Sequence, residues 1–247
     1  MSIRHFAERQ PLAAAIGGAG LQFLLTVLIL KVGAALTPPE AYGKVKLVAF
    51  ASTIVLPLLL VQALGLWKQV GFDLDKVRPT PLFLVSLLTC VLFVSMGIEM
   101  RPGFAGEATM QLFNAFGEEL LFRGVIFALL LRLSPWRAIA INGVLFGSMH
   151  LIHGFMDGKW DAAMTQALVT AMCGMMFTAV RMGTGSLWLV IVLHMLINLS
   201  ILHSSIEAAE GTTAMIVERL ASAFQVALAG YVAFVATRRG KAVPATG

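Results

Sequence analysis

Apolar runs long enough to cross a bilayer recur along almost the whole chain, and they constrain its fold more than any other feature. A hydrocarbon core of roughly 30 Å takes about 20 apolar residues in a helix. The runs are Pro11 to Leu36, Val45 to Leu66, Thr80 to Ile98, Ala108 to Leu131, Pro135 to His153, Asp161 to Val180, Ser186 to Ser205 and Thr213 to Thr237. Turn-forming and polar residues separate them, as at Thr37-Pro38-Pro39-Glu40, Asp73 to Pro79, Asp157-Gly158-Lys159 and Gly183-Thr184-Gly185. Ser134 before Pro135 reads as an N-cap with proline at the first helical position. The expected fold is all-α, a polytopic membrane helical bundle of about eight transmembrane helices. Residues 1–247 read as one integral-membrane domain, with a motif-bearing core at 108–205.

Composition agrees, since 58% of residues are hydrophobic and 13% charged, against roughly 45–50% and about 25% in soluble domains. Arg4 and Arg9 precede an apolar stretch reaching Leu36, longer than the roughly 7–15 residues of a signal-peptide core, so it reads as a retained first span. Cys90 and Cys173 lie inside apolar runs and read as small hydrophobes. The net charge of +5 does not point to nucleic acid, because the basic residues are scattered over short loops and the tail. Their distribution follows membrane orientation. With both termini cytoplasmic, the inner segments hold Arg4, Arg9, Lys68, Lys76, Arg78, Arg132, Arg137, Arg181, Arg238, Arg239 and Lys241. The outer ones hold only Lys31, Lys44, Lys46, Arg101, Lys159 and Arg219. Glu207, Glu210 and Glu218 all fall in the last outer segment.

Ionisable residues inside spans cost roughly 2.5–3.5 kcal/mol each on insertion scales, so they are functional by default. The fourth span carries three: Glu118, Glu119 and Arg123. Glu119 and Arg123 are four apart on one helical face, suited to an internal ion pair. Glu118 lies on the next strip, with Asn114 and Gln111 above it, and has no cation along its own face. It must find a partner elsewhere or titrate high through desolvation, which makes it the better candidate base. The competing reading is a buried network that only fixes helix packing.

The fifth span offers His150, with Gly143 and Gly147 forming a G-x-x-x-G face for close helix approach. The seventh offers His194 and Asn198, four apart, whose donors could converge on an oxyanion or simply tie two helices together. His153 reads as interfacial, and His203 points away from His194. Counting about 1.5 Å per residue from the span ends brings Glu118, His150, His194 and Asn198 within reach of one central cavity.

Three motifs follow in order: E-E-x-x-x-R at Glu118, Glu119 and Arg123, F-x-x-x-H at Phe146 and His150, and H-x-x-x-N at His194 and Asn198. Together they resemble the CAAX protease and bacteriocin-processing (CPBP) family of intramembrane endopeptidases. Each is weak alone, and the resemblance covers residues 118 to 198. It implies that Glu118 activates water with help from His150, that His194 and Asn198 stabilise the oxyanion, and that Glu119 and Arg123 organise the site.

The family has been described both as metal-dependent and as glutamate-dependent without metal. No pair of histidines four apart supplies an H-E-x-x-H zinc site here, although Glu118, His150 and His194 could close a divalent-metal site such as zinc from three helices. A serine mechanism lacks a paired base for Ser148, and an aspartyl one lacks intramembrane aspartates, since Asp157 and Asp161 lie in a loop. The implied partners are the lipid bilayer and a membrane-associated or lipidated peptide or protein, cut near its C-terminus, with no nucleic acid. The expected location is the bacterial inner membrane. Two other readings stand beside this one: a non-catalytic bacteriocin-immunity or regulatory protein of the same fold, and a proton-coupled transporter, which would want a paired-half symmetry not seen here.

Overall fold

The structure is a computed structural model that describes residues 2–100, 102–206 and 212–241. Arg101, Glu207 and Glu210, which enter the charge count above, lie outside the described residues.

Twelve helices follow in chain order: α1 (Ile3–Arg9), α2 (Pro11–Leu36), α3 (Tyr42–Leu64), α4 (Pro81–Ser86), α5 (Leu88–Val94), α6 (Phe104–Glu119), α7 (Phe127–Leu130), α8 (Pro135–Met149), α9 (Ile152–Asp157), α10 (Trp160–Thr184), α11 (Leu187–Leu202) and α12 (Thr212–Lys241). A π-helical segment, Leu120–Ile126, joins α6 to α7. Each apolar run of the sequence is therefore helical, although not always as one unbroken helix. Five are long and apolar enough to cross a membrane, namely Pro11–Leu36, Pro39–Leu64, Pro135–Asp157, Trp160–Thr184 and Thr212–Gly240, while Pro81–Val94 and Leu187–Leu202 are apolar but shorter.

Several boundaries differ from the sequence reading. Residues ahead of Pro11 form a short helix of their own, capped by Ser2, whose hydroxyl accepts from the His5 amide. The run from Thr80 is interrupted at Leu87 and ends at Val94 rather than Ile98, because Ser95, Met96 and Gly97 close it in a turn with Gly97 at φ 105°. The fifth run bends at His150 and Leu151 before α9. Pro135 does start α8, but the Ser134 side chain makes no capping bond.

Burial sorts the helices. Along α11, Leu187, Leu189, Val190, Ile191, Leu193 and Ile197 are all buried, so this helix is the axis of the bundle. Its 16 residues span only about 24 Å, which a helix wrapped in protein tolerates more readily than one facing lipid. By contrast α2 turns Leu21, Leu24 and Leu28 outward, as expected for a helix solvated by acyl chains. The heaviest packing is α8 against α10. A Cβ on Gly143 would lie 2.8 Å from the Ala171 carbonyl oxygen, and one on Gly147 would strike the Ala167 carbonyl. The G-x-x-x-G face thus works as the sequence suggested, and α10 is the helix that uses it.

A loop after α3 folds back against the bundle. Gly65 takes a left-handed conformation (φ 67°) that ends α3, and Val70 is completely buried. The Gly71 carbonyl accepts from the Leu187 amide at 2.9 Å, Arg181 donates to the Gln69 carbonyl at 2.7 Å, and Trp188 donates to that of Phe72 at 3.2 Å. Gly71, at φ 89°, leaves no room for a side chain beside the Arg181 guanidinium.

Candidate active site

The site begins with a local irregularity. After Glu119 the backbone switches from α- to π-helical pairing for Leu120–Ile126, a widened turn of the kind found often at functional positions. The wider turn leaves backbone groups to be satisfied from outside, and Asn142 on α8 does so, its Nδ2 donating to the Phe122 carbonyl at 2.7 Å. Gly117 lets α6 approach α3 closely, since a Cβ there would run into Thr53. The two acids therefore sit where α6 is pinned on one side and loosened on the other.

Glu119 and Arg123 are both fully buried, and Arg123 Nη1 donates to Glu119 Oε1 at 3.0 Å. The guanidinium Nη2 donates to the Gly174 carbonyl at 2.8 Å, and its Cζ lies 4.2 Å from the Phe146 ring centre and 5.1 Å from that of Phe177. Gly174 makes the seat possible: a Cβ there would stand 2.8 Å from Phe146 and 3.0 Å from Arg123.

Glu119 does more than pair with arginine. Its Oε1 also lies 2.7 Å from His194 Nδ1. A carboxylate oxygen accepts, so Nδ1–H is the donor, and the ring presents Nε2 on its other edge. His194 is further held by Phe177, stacked at 4.9 Å, and by the edge of Phe146 at 5.9 Å. Nε2 points toward Glu118, 3.8 Å from its Oε2. The partner Glu118 lacked on its own face thus comes from α11. Glu118 retains 24% side-chain exposure where Glu119 has none.

His150 follows α8 at the bend, with Nδ1 3.3 Å from the Phe146 carbonyl. A carbonyl can only accept, so the imidazole's Nε2 remains for other partners, and Glu118 and His194 lie within electrostatic reach. Asn198 is held through Nδ2, donating to Gln111 Oε1 at 2.9 Å, which leaves one amide hydrogen and the carbonyl oxygen uncommitted. Chemically the arrangement offers a partly accessible carboxylate, an imidazole locked by a buried ion pair, a second imidazole and an amide donor.

Glu118, Glu119, Arg123 and His194 are therefore brought into direct or near contact, while His150 and Asn198 are anchored to Phe146 and Gln111 respectively. Among the described residues no three His, Cys, Asp or Glu side chains converge closely enough to hold a metal. Glu118, His150 and His194, the set the sequence left open for a metal, are not among such groups. Unanticipated from sequence were the Glu119–His194 bond and the parts played by Asn142, Gly117 and Gly174. Only a polar residue or a glycine within an apolar run could have flagged these positions, and the partners are remote in sequence.

A helical membrane bundle with a carboxylate, imidazole and guanidinium network inside it belongs to the class of integral membrane proteins whose polar interior serves function. Residues 102–200 match the model of the family described as type II CAAX prenyl endopeptidase Rce1-like. The matched stretch carries all three motifs, and the resemblance they show is to this same family. Over that stretch the chain is similar to CAAX prenyl endopeptidases of this type, and the helices around it include five apolar and long enough to cross a membrane. No curated protein sequence matches the chain.

Proposed function

We propose that the chain hydrolyses a peptide bond near the C-terminus of a membrane-associated or lipidated protein or peptide, using water activated by Glu118. The observation that carries this reading is the division of labour between adjacent acids: Glu119 is fully buried on Arg123 and His194, and Glu118 is partly accessible beside His194 Nε2.

Glu118 takes a proton from water as the water oxygen bonds to the scissile carbonyl carbon, and returns it to the amide nitrogen as the carbon–nitrogen bond breaks. His150 orients the water: with Nδ1–H directed at the Phe146 carbonyl, its Nε2 lone pair accepts a water hydrogen. His194 with Nδ1–H on Glu119 donates from Nε2 only as the imidazolium. In that form Nε2–H and the free Asn198 amide hydrogen stabilise the oxyanion. Glu119 and Arg123 fix the ring and do not touch the reacting atoms. If a divalent metal served instead, Glu118, His150 and His194 would have to draw together to ligate it, and the metal would supply Lewis acidity.

The protein is read as lying in a bacterial inner membrane with both termini cytoplasmic. In support, Lys68, Lys76, Arg78 and Arg132 fall in connections, and Arg137 in the first turn of α8, at the α1 and α12 C-terminal end of the bundle.

The test is comparative membrane proteomics of cells carrying wild type or Glu118→Gln. A protein or peptide that accumulates uncleaved in the variant, with the variant still inserted and folded, is the expected result. Undiminished processing by Glu118→Gln would overturn the mechanism. Loss of activity together with loss of a stoichiometric bound metal would replace it with a metal-dependent one.

A further inference from the structure

Away from the acids and histidines, α4, α10 and α12 leave a groove of about 680 Å³ between them. Its walls are mostly apolar, formed among others by Leu82, Val85, Met182, Leu228 and Val232 with Tyr231 beside them, none of its lining residues is acidic, and one end holds Arg239. Along α12 the lining runs from Leu228 to Arg239, about 16 Å at 1.5 Å per residue. Half of a hydrocarbon core of roughly 30 Å is about 15 Å, so the groove is one leaflet long.

Its polar end lies where a headgroup would be. The first turn of α4, the last turn of α10 and the end of α12 all meet there. The two consecutive arginines also differ in what they touch. Arg238 stacks on Phe234, its Cζ 4.3 Å from the ring centre, whereas Arg239 lines the groove and, among the described residues, pairs with no carboxylate. Gly183 keeps the floor tight, because a Cβ there would strike Leu82.

We propose that this groove binds one anionic phospholipid of the leaflet at the Arg239 end, its acyl chain lying between α4, α10 and α12 and its phosphate on Arg239. A slot one leaflet long, mostly apolar along its length and cationic at the interface, matches a lipid in both shape and charge. A basic residue near the membrane surface is worth about fivefold in affinity for an anionic headgroup.

The full-length protein would be purified in detergent and titrated with phosphatidylglycerol or with phosphatidylcholine of the same acyl chains, and retained lipid counted by native mass spectrometry. Wild type should retain one phosphatidylglycerol about fivefold more tightly than phosphatidylcholine. Arg239→Gln, at an exposed position, should abolish the discrimination. Ala236→Trp, which fills the groove, should abolish retention of both lipids with thermal unfolding unchanged. Full discrimination by Arg239→Gln, or undiminished retention by Ala236→Trp, would overturn the proposal. So would a dimer that Ala236→Trp dissociates, which would make the groove an interface between copies. Slower substrate cleavage by Ala236→Trp with lipid discrimination intact would instead assign the groove to the substrate.

Discussion

Arg123 is a charge enclosed on all sides by its own bundle: Glu119 on one nitrogen, the Gly174 carbonyl on another, and aromatic faces around the plane. Removing one member of such a buried pair leaves the other charge unpaired and costs about 3–5 kcal/mol. Arg123→Met should therefore lower the midpoint of thermal unfolding in detergent sharply. Arg123→Lys keeps the charge but cannot reach Glu119 and Gly174 together through a planar fork, and should recover only part of the loss. Glu119→Gln also strips the buried guanidinium of its counterion and should lower the midpoint as well. The amide can still accept from His194 Nδ1–H, but the ring loses the negative charge behind it, so at a temperature where the variant stays folded turnover should fall further than the loss of stability or of substrate binding accounts for. A parallel fall in stability and activity would mean that Glu119 serves packing alone. At this scale the sequence foretold the i to i+4 pair of Glu119 and Arg123, because helix geometry alone makes it. It could not foretell that the same carboxylate oxygen also receives His194, 75 residues further on.

Among the helices, glycines decide which surfaces meet. Gly147 and Gly174 lie where α8 and α10 cross, and a Cβ at Gly147 would collide with backbone at Ala167. Backbone cannot rotate aside as a side chain can, so Gly147→Ala must push the helices apart, at about 1–3 kcal/mol for overpacking. His150 sits one turn beyond and should move with α8, so cleavage should weaken as well. Gly106 on α6 meets nothing within 4 Å, and Gly106→Ala should be neutral or stabilising by about 0.5–1 kcal/mol through helix propensity. Unfolding midpoints of the two alanine variants in one detergent provide the check. The G-x-x-x-G face was legible in sequence because its spacing is a property of one helix. The role of Gly174 was not, since it depends on where Phe146 and Arg123 arrive from other helices. The π turn after Glu119 was equally hidden: the run from Ala108 to Leu131 has ordinary apolar composition apart from its charges, and nothing local distinguishes α from π pairing there.

For the molecule as a whole, the loop from Gly65 to Phe72 joins α3, α10 and α11. Arg181 is its clasp, buried at 6% exposure and donating to the Gln69 carbonyl, and beneath it Phe72 packs on Phe116 and Trp188 at 6.3 and 5.5 Å. Phe116 is two residues from Glu118, so the loop braces the helix that carries the acids. Arg181→Ala should release the loop without removing any spanning helix, and the exposed bond after Lys68 should become several-fold more sensitive to trypsin in proteoliposomes that present this end of the bundle. Unchanged trypsin sensitivity would mean that the Gly71 and Phe72 backbone bonds suffice to hold it.

From the sequence alone came the helical membrane class, the approximate extent of each rod and the six polar residues of the candidate site. These follow from hydropathy over about 20 residues and from the cost of charge in lipid, both properties of a chain segment taken singly. Tertiary structure decided everything that depends on two distant segments meeting. It gave Glu119 to His194 as well as Arg123, set Glu118 beside His194 Nε2, tied Asn198 to Gln111 and left the groove ending at Arg239 between α4, α10 and α12. The physical reason is that lipid demands satisfied polar groups without saying by whom. The identity of each partner is settled only when the helices pack.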